Sequence, residues 1–545
     1  MSTAFETQES TARFLTQASF GGRPEQIAQL TGTDASDWFL GQLSEPASLN
    51  LDVVLTAIQD PNAFDPNGLT SFVTNQIPTE QFWINLIEED DQLRQRMAFA
   101  LSQILVISGA EGTQLFNLPY TVAHYQDILA MGALGNFRDL LEEVTYSPAM
   151  SLYLTYLQNL PGDPNTGRMP DENYAREIMQ LFTIGVVDLD ADGTPQTGLN
   201  GNPLETFDNE DVTGLARVFT GLSLDTGAFV AQRGTIEPSD LSERLVMFDN
   251  FHSPLEKTFL GTTIPAGTGG DDSIDMALDA LVNHPNTAPF IARQLIQRFV
   301  TSDPQPDYIE RVATAFENGT FILPNTTTVG DGRRGDLAAT IAAILFDEEA
   351  RDETARMEDT FGKVREPILR FAHWARTFGV TNVSDNFGTV LWNTSDPMQL
   401  SQSAYKAPSV FNFYRPGFIP PASTVGDAGL TAPEFQIVNT STVAGYANFM
   451  TNFLFNDSNA PALGNFVGDY SDEVAIADDA TALVDHLDSL LTFGGASEET
   501  KTKIIGVLEE FPLADPNDPN DGSRLLRARL GILMLMTSPD YLIQR

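Results

Sequence analysis

Apolar residues recur every three or four positions along most of the chain, which is the spacing of one face of an α-helix. The stretch 80–107 is a long example that becomes increasingly apolar toward its end. The same spacing predicts further helices at 121–132, 136–157, 171–184, 208–220, 273–284, 286–299, 306–317, 334–346, 363–378, 436–455, 472–492, 497–510 and 521–544. The pattern therefore predicts a mainly α, multi-helical fold.

One segment departs from the helical spacing. Residues 186–207 alternate apolar and polar positions around Asp192-Gly193 and Asn200-Gly201. These dipeptides tolerate the positive φ of tight turns, so we predict a small β-hairpin flap, or a three-stranded one, at this point. Residues 45–79 and 380–435 lack a clear period, and we predict that they are largely loop.

The length of the chain indicates more than one lobe. At 545 residues it exceeds the size at which a single hydrophobic core usually stops growing. We expect two closely packed lobes in one continuous unit. Approximate regions are an N-terminal helical lobe at 1–160, a central helical region with the flap at 161–380, and a C-terminal region at 381–545 that is loop-rich and then helical.

Charge and cysteine content exclude several classes of function. Seventy-four acidic and 30 basic residues give a net charge of −44, which repels nucleic acid and anionic lipid. An acidic surface of this kind suits high salt or divalent cations, although it also serves plain solubility. The absence of cysteine excludes disulfides, thiolate nucleophiles and Cys-ligated zinc.

The sequence also bears on location. Residues 1–20 lack the basic start and unbroken apolar stretch of a signal peptide. Nowhere do about 18 uncharged apolar residues run together, so we expect no membrane span. The absence of cysteine is compatible with export, and a periplasmic or extracellular location is expected over a cytoplasmic one on the resemblance described below.

The predicted helix 171–184 has two distinct faces. Its polar stripe contains Asn173, Arg176, Glu177 and Gln180, and large apolar residues occupy the opposite side. Elsewhere the polar surface of the chain is mostly plain Asp and Glu. The stripe is therefore either a buried hydrogen-bond network or part of an active site, and both alternatives remain open.

The next predicted helix repeats this arrangement, with Glu210 and Arg217 on one face. Gly214 stands in its middle, where glycine disfavours a helix and usually indicates close packing or the approach of a ligand. If the two helices lie side by side, Arg176, Glu177, Glu210 and Arg217 would form a cluster of four charges.

These segments resemble the uncharacterised bacterial family catalogued as domain of unknown function 1800. The resemblance rests on PDENYAREIMQLFTIG (170–185) and EDVTGLARVFTGL (210–222). It continues at 132–154, 251–261, 284–300, 363–379, 405–421 and 529–545, and so covers nearly the whole chain. The resemblance implies a helical, usually exported protein without established activity, often encoded beside a sulfatase-like or alkaline-phosphatase-like partner.

Two functions are compatible with the sequence. The first is an envelope-associated or extracellular helical scaffold that binds a partner. The second is a hydrolase acting on an extracellular polymer or on a phosphate or sulfate ester. Its candidate catalytic residues are Glu172, Arg176, Glu177, Glu210, Arg217 and His252. In that scheme Glu177 or Glu172 is the general base, Arg176 and Arg217 hold the anion, and His252 is the acid.

Metal and cofactor motifs are scarce. Asp188, Asp190 and Asp192 match the first half of a calcium loop. Position twelve is Leu199 where a bidentate Glu is needed, which excludes a standard EF-hand and leaves a weak calcium candidate. We find no phosphate loop, dinucleotide fingerprint or nucleophile elbow, and no other cofactor is predicted.

Overall fold

The computed structural model describes residues 5–59, 70–230, 237–356, 358–382, 391–455, 466–515, 518 and 521–545. Helices dominate these residues, and strands of two or three residues form only two-stranded antiparallel sheets. The predicted mainly α class is confirmed. In this described part of the chain, no helix has both the length and the apolar composition that crossing a bilayer requires.

The α-helices before residue 285 are Gln8–Ala18, Pro24–Leu30, Ala35–Ser44, Leu51–Gln59, Thr70–Ile87, Gln92–Ser102, Pro119–Gly132, Phe137–Thr145, Pro148–Tyr153, Asn173–Glu177, Asn209–Ala216 and Gly270–Val282. Those after it are Thr287–Phe299, Pro306–Asn318, Leu337–Leu345, Glu348–Arg351, Glu353–Arg356, Pro367–Thr377, Thr424–Asp427, Thr440–Phe455, Ser471–Ala475, Ala480–Leu491, Glu498–Glu510, Gly522–Met536 and Pro539–Leu542.

Shorter elements connect these helices. The 3₁₀ turns are Gln114–Asn117, Ser239–Leu241, Asp249–Phe251 and Pro433–Gln436, and Ile178–Thr183 is a π-helix. The strand pairs are Leu222–Ser223 with Val246–Met247, Lys257–Phe259 with Thr262–Ile264, Phe321–Ile322 with Thr328–Val329, Lys363–Val364 with Ile543–Gln544, and Thr381–Asn382 with Phe466–Val467.

Two hydrophobic clusters form the core. The first is built mainly from residues between Phe5 and Phe361, and the second combines part of the N-terminal region with residues 368–541. The helix Gln92–Ser102 serves both, because Met97 belongs to the first cluster and Phe99 to the second. Each cluster is the core of one lobe, and the shared helix joins the two lobes closely. The division of the sequence into three regions stays a prediction.

The flap at 186–207 forms with less regular pairing than a hairpin. Its isolated bridges join Val187 to Glu205, Leu189 to Pro195 and Thr197 to Pro203. Each of its three extended segments thus pairs with another part of the same ribbon. Exposed turns join the segments, so the flap projects polar loops from the surface.

Several predicted helices are wrong in their extent, because 80–107, 136–157, 472–492 and 521–544 are each divided between two helices. The stretch 80–107 covers the end of Thr70–Ile87 and the whole of Gln92–Ser102, which are separated at 88–91. The carboxylate of Asp91 accepts hydrogen bonds from the backbone N–H of Ser48 at 2.9 Å and from its hydroxyl at 2.8 Å. Bonding to a distant segment replaces the local helical contacts at this point.

The predicted loop at 45–79 is also wrong in part. Leu51–Gln59 is helical and the next helix begins at Thr70, while residues 60–69 lie outside the described residues. The Asp127 carboxylate accepts from the backbone N–H groups of Asn50 and Leu51 at 2.6 and 3.0 Å. A side chain from elsewhere in the chain thus satisfies the first donors of this helix.

Candidate functional site

The two helices of the family-like motifs lie side by side, which the sequence left open. Tyr174, on the first helix, stacks on Tyr156 with ring centroids 4.2 Å apart and meets Phe219 edge-on at 4.7 Å. The Tyr174 hydroxyl also shares a hydrogen bond of 2.8 Å with the Thr145 hydroxyl. An aromatic cluster therefore fixes the position of the motif helices from their apolar side.

The first motif helix changes its winding in the middle. The α-helix Asn173–Glu177 passes directly into the π-helix Ile178–Thr183. The backbone N–H groups of Ile184 and Gly185 then both donate to the Met179 carbonyl at 3.0 Å. Short π segments inside α-helices frequently accompany functional sites, because they redirect the side chains that follow or precede them.

Glu177 lies at this junction and is only 8% exposed. Its Oε2 atom has no hydrogen-bond partner among the described residues. Burial raises the pKa of Glu177, and the charge of Arg176 offsets this rise only in part. The pKa of the nearby Tyr153 rises to about 12, through burial and the charge of Glu177. Glu177 is thus a buried carboxyl with an unused acceptor.

The other predicted charges do not gather around Glu177. Arg176 approaches Glu172 at 3.6 Å, and the Thr213 hydroxyl donates to Glu172 at 3.0 Å. Arg217 instead donates to the Glu256 carbonyl at 3.0 Å. Within the described part of the chain, neither Glu210 nor Arg217 takes part in an ion pair.

The expected cluster of four charges is therefore wrong, and the reason is the packing of Gly214. A Cβ atom at Gly214 would lie 1.8 Å from the Thr258 carbonyl oxygen, so the helix rests directly on the strand Lys257–Phe259. This contact brings Arg217 to Glu256, beside that strand, instead of to the first motif helix. Close backbone packing, and not the approach of a ligand, explains this glycine.

His252 is buried, and both of its ring nitrogens have partners. Nδ1 lies 2.9 Å from the Thr220 carbonyl, and Nε2 lies 3.3 Å from the Ser273 hydroxyl. Burial lowers the pKa of His252, and the hydrogen bond to Thr220 offsets this effect only partly. The environment therefore favours the neutral imidazole. The ring links Thr220, which follows the second motif helix, to Ser273 in the helix Gly270–Val282.

The aspartates of the flap serve its turns. Asp192 accepts from the Thr194 backbone N–H at 2.9 Å, and Asp190 accepts from the Gln196 amide at 3.0 Å. Across the residues that the structure describes, no group of three or more His, Asp or Glu could hold a metal ion. Asp188, Asp190 and Asp192 therefore do not come together as the calcium candidate required.

A second polar cluster lies where the two hydrophobic clusters meet, and the sequence did not predict it. We call it the interlobe charge network. Its charged members are at most 2% exposed. They are Arg96, Arg298, Lys363, Glu366 and Glu434. Three cations and two carboxylates are thus enclosed together inside the protein.

Lys363 is the centre of this network. Its Nζ lies 3.2 Å from Glu434 and 3.6 Å from Glu366, and donates to the Arg298 carbonyl at 2.8 Å. Although burial opposes ionisation, the charges of Lys363 and Arg96 and two amide hydrogen bonds hold the pKa of Glu366 below its usual value. Burial raises the pKa of Glu434.

One sequence signal pointed to this network. Lys363 is one of only five lysines in the chain and lies inside the family-like segment 363–379. Its other main partners, Arg298 and Glu434, are more than 60 positions away in sequence, so no local spacing could connect them. Buried ionic groups of this kind hold packed elements in one arrangement more often than they catalyse reactions.

Fold and site define a mainly α, cysteine-free protein in which two adjacent motif helices carry a buried carboxyl and a charge network joins two lobes. Residues 13–543 match DUF1800, a protein family of unknown function, so the chain belongs to this family. The resemblance seen in the sequence is confirmed. No curated protein and no solved structure gives a significant match.

Proposed function

We propose that this protein is a helical scaffold that binds a protein partner through the flap at 186–207. The observation that carries the proposal is the exposure of large apolar side chains on that ribbon. Val186, Leu199 and Leu204 are 51%, 112% and 40% exposed. Single exposed apolar residues are common, but several on one small element are typical of an interaction site.

The segments that carry these side chains pair with one another. The Val186 carbonyl accepts from the Thr206 backbone N–H at 3.3 Å, which places the two ends of the flap together. A Cβ atom at Gly198 would lie 3.2 Å from Leu204, so Leu204 covers the turn that carries Leu199. The flap therefore presents its apolar groups from neighbouring segments.

Charge around the flap indicates the chemistry of the partner. Asp190, Glu205, Asp208 and Glu210 are exposed there. No Lys or Arg occurs between Glu177 and Arg217. A basic protein surface with an apolar centre fits this acidic rim, because complementary charge speeds encounter and selects against other partners.

The candidate catalytic residues support a scaffold more than an enzyme. His252 has both ring nitrogens engaged, and Arg217 binds a backbone carbonyl away from Glu177. We place the protein in the envelope or outside the cell, because the resemblance implies export. The sulfatase-like or alkaline-phosphatase-like neighbour that it also implies is the first candidate for the partner.

Affinity capture from the native host tests the proposal. Three baits are compared: the wild type, a flap variant with Leu199→Ser and Leu204→Ser together, and a control with Ile322→Ser. Ile322 is an apolar residue that is 67% exposed on another hairpin. We expect the wild type and the control to retain a basic partner that salt elutes. Loss of two apolar anchors should weaken capture by at least about tenfold. Equal capture by the flap variant would contradict the proposal.

A hydrolase remains a second candidate because of Glu177. Its buried, unpartnered Oε2 and raised pKa are properties of a general base or acid, and the adjoining π-helix is typical of functional sites. Hydrolysis of p-nitrophenyl phosphate and p-nitrophenyl sulfate tests this function. In this case Glu177→Gln abolishes hydrolysis, and the control Glu509→Gln, at an exposed position on the helix Glu498–Glu510, retains it. Absence of hydrolysis by the wild type removes support from these ester classes.

A further inference from the structure

A cleft of about 440 Å³ lies between the N-terminal helix Gln8–Ala18 and the short helices Glu348–Arg351 and Glu353–Arg356. This volume is in the range of small-molecule sites, roughly 300–1,000 Å³. Arg13, Arg351 and Arg356 all line it. Only 30 of the 545 residues are basic, so three guanidinium groups in one cleft are an unusual concentration of positive charge.

The deepest of these arginines is only partly satisfied. Arg13 is 2% exposed, and its Nε donates to the Arg545 carbonyl at 2.9 Å. Its Nη1 reaches Glu353 only at 3.5 Å, and its Nη2 has no partner among the described residues. A buried donor without an acceptor is unfavourable, so this group favours a ligand that supplies one.

Arg351 has more unpartnered hydrogen-bond donors than Arg13. Its Nε and Nη2 atoms are buried and have no hydrogen-bond partner in the described part of the chain. Its guanidinium lies over the Phe14 ring, 5.0 Å from the centroid. An aromatic face attracts the cation but accepts no strong hydrogen bond, so Nε and Nη2 of Arg351 stay without an acceptor among the described residues.

Five carboxylates line the cleft beside the three arginines, and among the described residues Glu353 is the one that pairs with Arg13 and Arg356. Glu353 is shared between Arg13 and Arg356, the latter at 3.1 Å. Burial lowers the pKa of Arg13 to about 10 and that of Arg351 to about 9, and the charge of Arg13 contributes to the lowering at Arg351. A bound anion would relieve this repulsion and satisfy the unused donors.

The remaining lining limits which anion fits. Glu6, Glu348 and Asp352 are exposed carboxylates around the cleft, and Glu9 is half-buried there. All four repel ligands with several negative charges. Phe346 and Pro324 add apolar surface. A planar guanidinium matches a carboxylate through two parallel hydrogen bonds. The arrangement therefore favours a compact, singly charged carboxylate that carries an apolar group.

We propose that this cleft binds a small organic carboxylate, with the carboxylate on Arg13 and Arg351 and the apolar part against Phe346. The carboxylate belongs either to a free acid or to the C-terminus of a peptide, since both offer the same chemistry. The site is separate from the flap, so it adds a ligand function to the proposed scaffold and does not depend on it.

Calorimetric titration with benzoate tests the proposal, and benzamide serves as its neutral counterpart. We expect the wild type to bind benzoate and not benzamide. Arg351→Met keeps most of the aliphatic stem but removes the guanidinium group and its charge, and should weaken binding by at least about tenfold. Arg168→Met, at an exposed position, is the matched control and should bind as the wild type does. A short peptide with a free C-terminus, compared with its amide, distinguishes the two sources.

Two results would overturn the proposal: equal binding of benzoate and benzamide, or unchanged benzoate binding by folded Arg351→Met. Thermal melting verifies that each variant is folded. If Arg351→Met does not fold, Arg356→Met gives the answer, because its loss frees Glu353 to neutralise Arg13 and should also weaken benzoate binding. Unchanged binding by that variant contradicts the proposal equally.

Discussion

Glu177 is a carboxyl that the fold buries without giving its Oε2 atom a donor among the described residues. The aromatic packing of Tyr174 and the change from α to π winding fix its position. Such a residue destabilises the protein when it is charged, and it is retained either for a function or for the specificity of packing. Measuring the stability of the protein at different pH values separates the effect of the Glu177 charge from the effect of its side-chain packing.

Glu177→Gln tests this directly. Burial raises the pKa of Glu177 above its value in the unfolded chain, so the folded protein loses stability as pH rises from the unfolded toward the folded pKa. The variant, which does not titrate, should therefore gain about 1 kcal/mol over the wild type between about pH 4 and about pH 8. Urea unfolding at both pH values measures the difference. An equal effect of the substitution at both would show that the charge is not penalised.

Helix ends were predicted well where residues next to them in sequence determine them. The helix predicted at 208–220 forms as Asn209–Ala216 and begins in a capping box. In that box Asp208 accepts from the Asp211 backbone N–H, and Asp211 accepts from that of Asp208. The helix predicted from 363 instead begins at Pro367, and Lys363–Val364 pairs with the C-terminal strand. A partner strand almost 180 positions away in sequence overrode the helical pattern.

Gly214 provides a test at the scale of the element. A Cβ atom there would overlap the Thr258 carbonyl, so Gly214→Ala should force the helix from the strand and destabilise the protein by about 1–3 kcal/mol. Gly506 is the matched control, because it is exposed in the helix Glu498–Glu510 and a Cβ atom meets nothing within 4 Å.

At Gly506 the higher helix propensity of alanine determines the effect of the substitution on stability. Gly506→Ala should stabilise the protein by about 0.5–1 kcal/mol. Chemical unfolding measures the change in the free energy of unfolding for both variants, and we expect the two changes to have opposite signs. A stabilising effect at Gly214 would show that the helix does not rest on the strand as described.

At the scale of the whole molecule, the interlobe charge network joins the two hydrophobic clusters. Lys363→Met removes the cation between Glu366 and Glu434 and leaves two buried carboxylates. Removing one partner of a buried ion pair destabilises a protein by about 3–5 kcal/mol. Equilibrium unfolding in urea should show a loss of this size.

The surface pair Lys503–Glu499 is the control for that loss. Both side chains are largely exposed at 70% and 77%, and exposed pairs contribute at most about 1 kcal/mol. Lys503→Met should therefore change the free energy of unfolding little. Similar losses at Lys363 and Lys503 would mean that the network does not hold the lobes together.

The net charge of −44 also acts on the whole molecule. Repulsion among the carboxylates opposes the compact state, and salt screens it over about 10 Å at 0.1 M. Raising sodium chloride from about 0.02 M to about 0.5 M should raise the Tm, as scanning calorimetry would show. A Tm that falls or stays constant would indicate that local ion pairs outweigh the overall repulsion.

The helical class followed from periodicity, whereas the adjacency of the motif helices and the arrangement of the site did not. The expected four-charge cluster failed because Gly214 binds the helix to a strand that the sequence did not reveal. Lys363 and Arg351 obtain their surroundings from segments distant in sequence. The spacing of residues along one helix predicts which of them share a face, but it does not predict which other element packs against that face.

Binding of a protein partner by the flap can be captured covalently in the native host. A photoreactive amino acid placed at Leu199 probes the flap, and the same group at Ile322 is the control. We expect a cross-linked adduct of one basic protein from position 199 and none from position 322. No adduct at 199, or the same adducts at both positions, would contradict it.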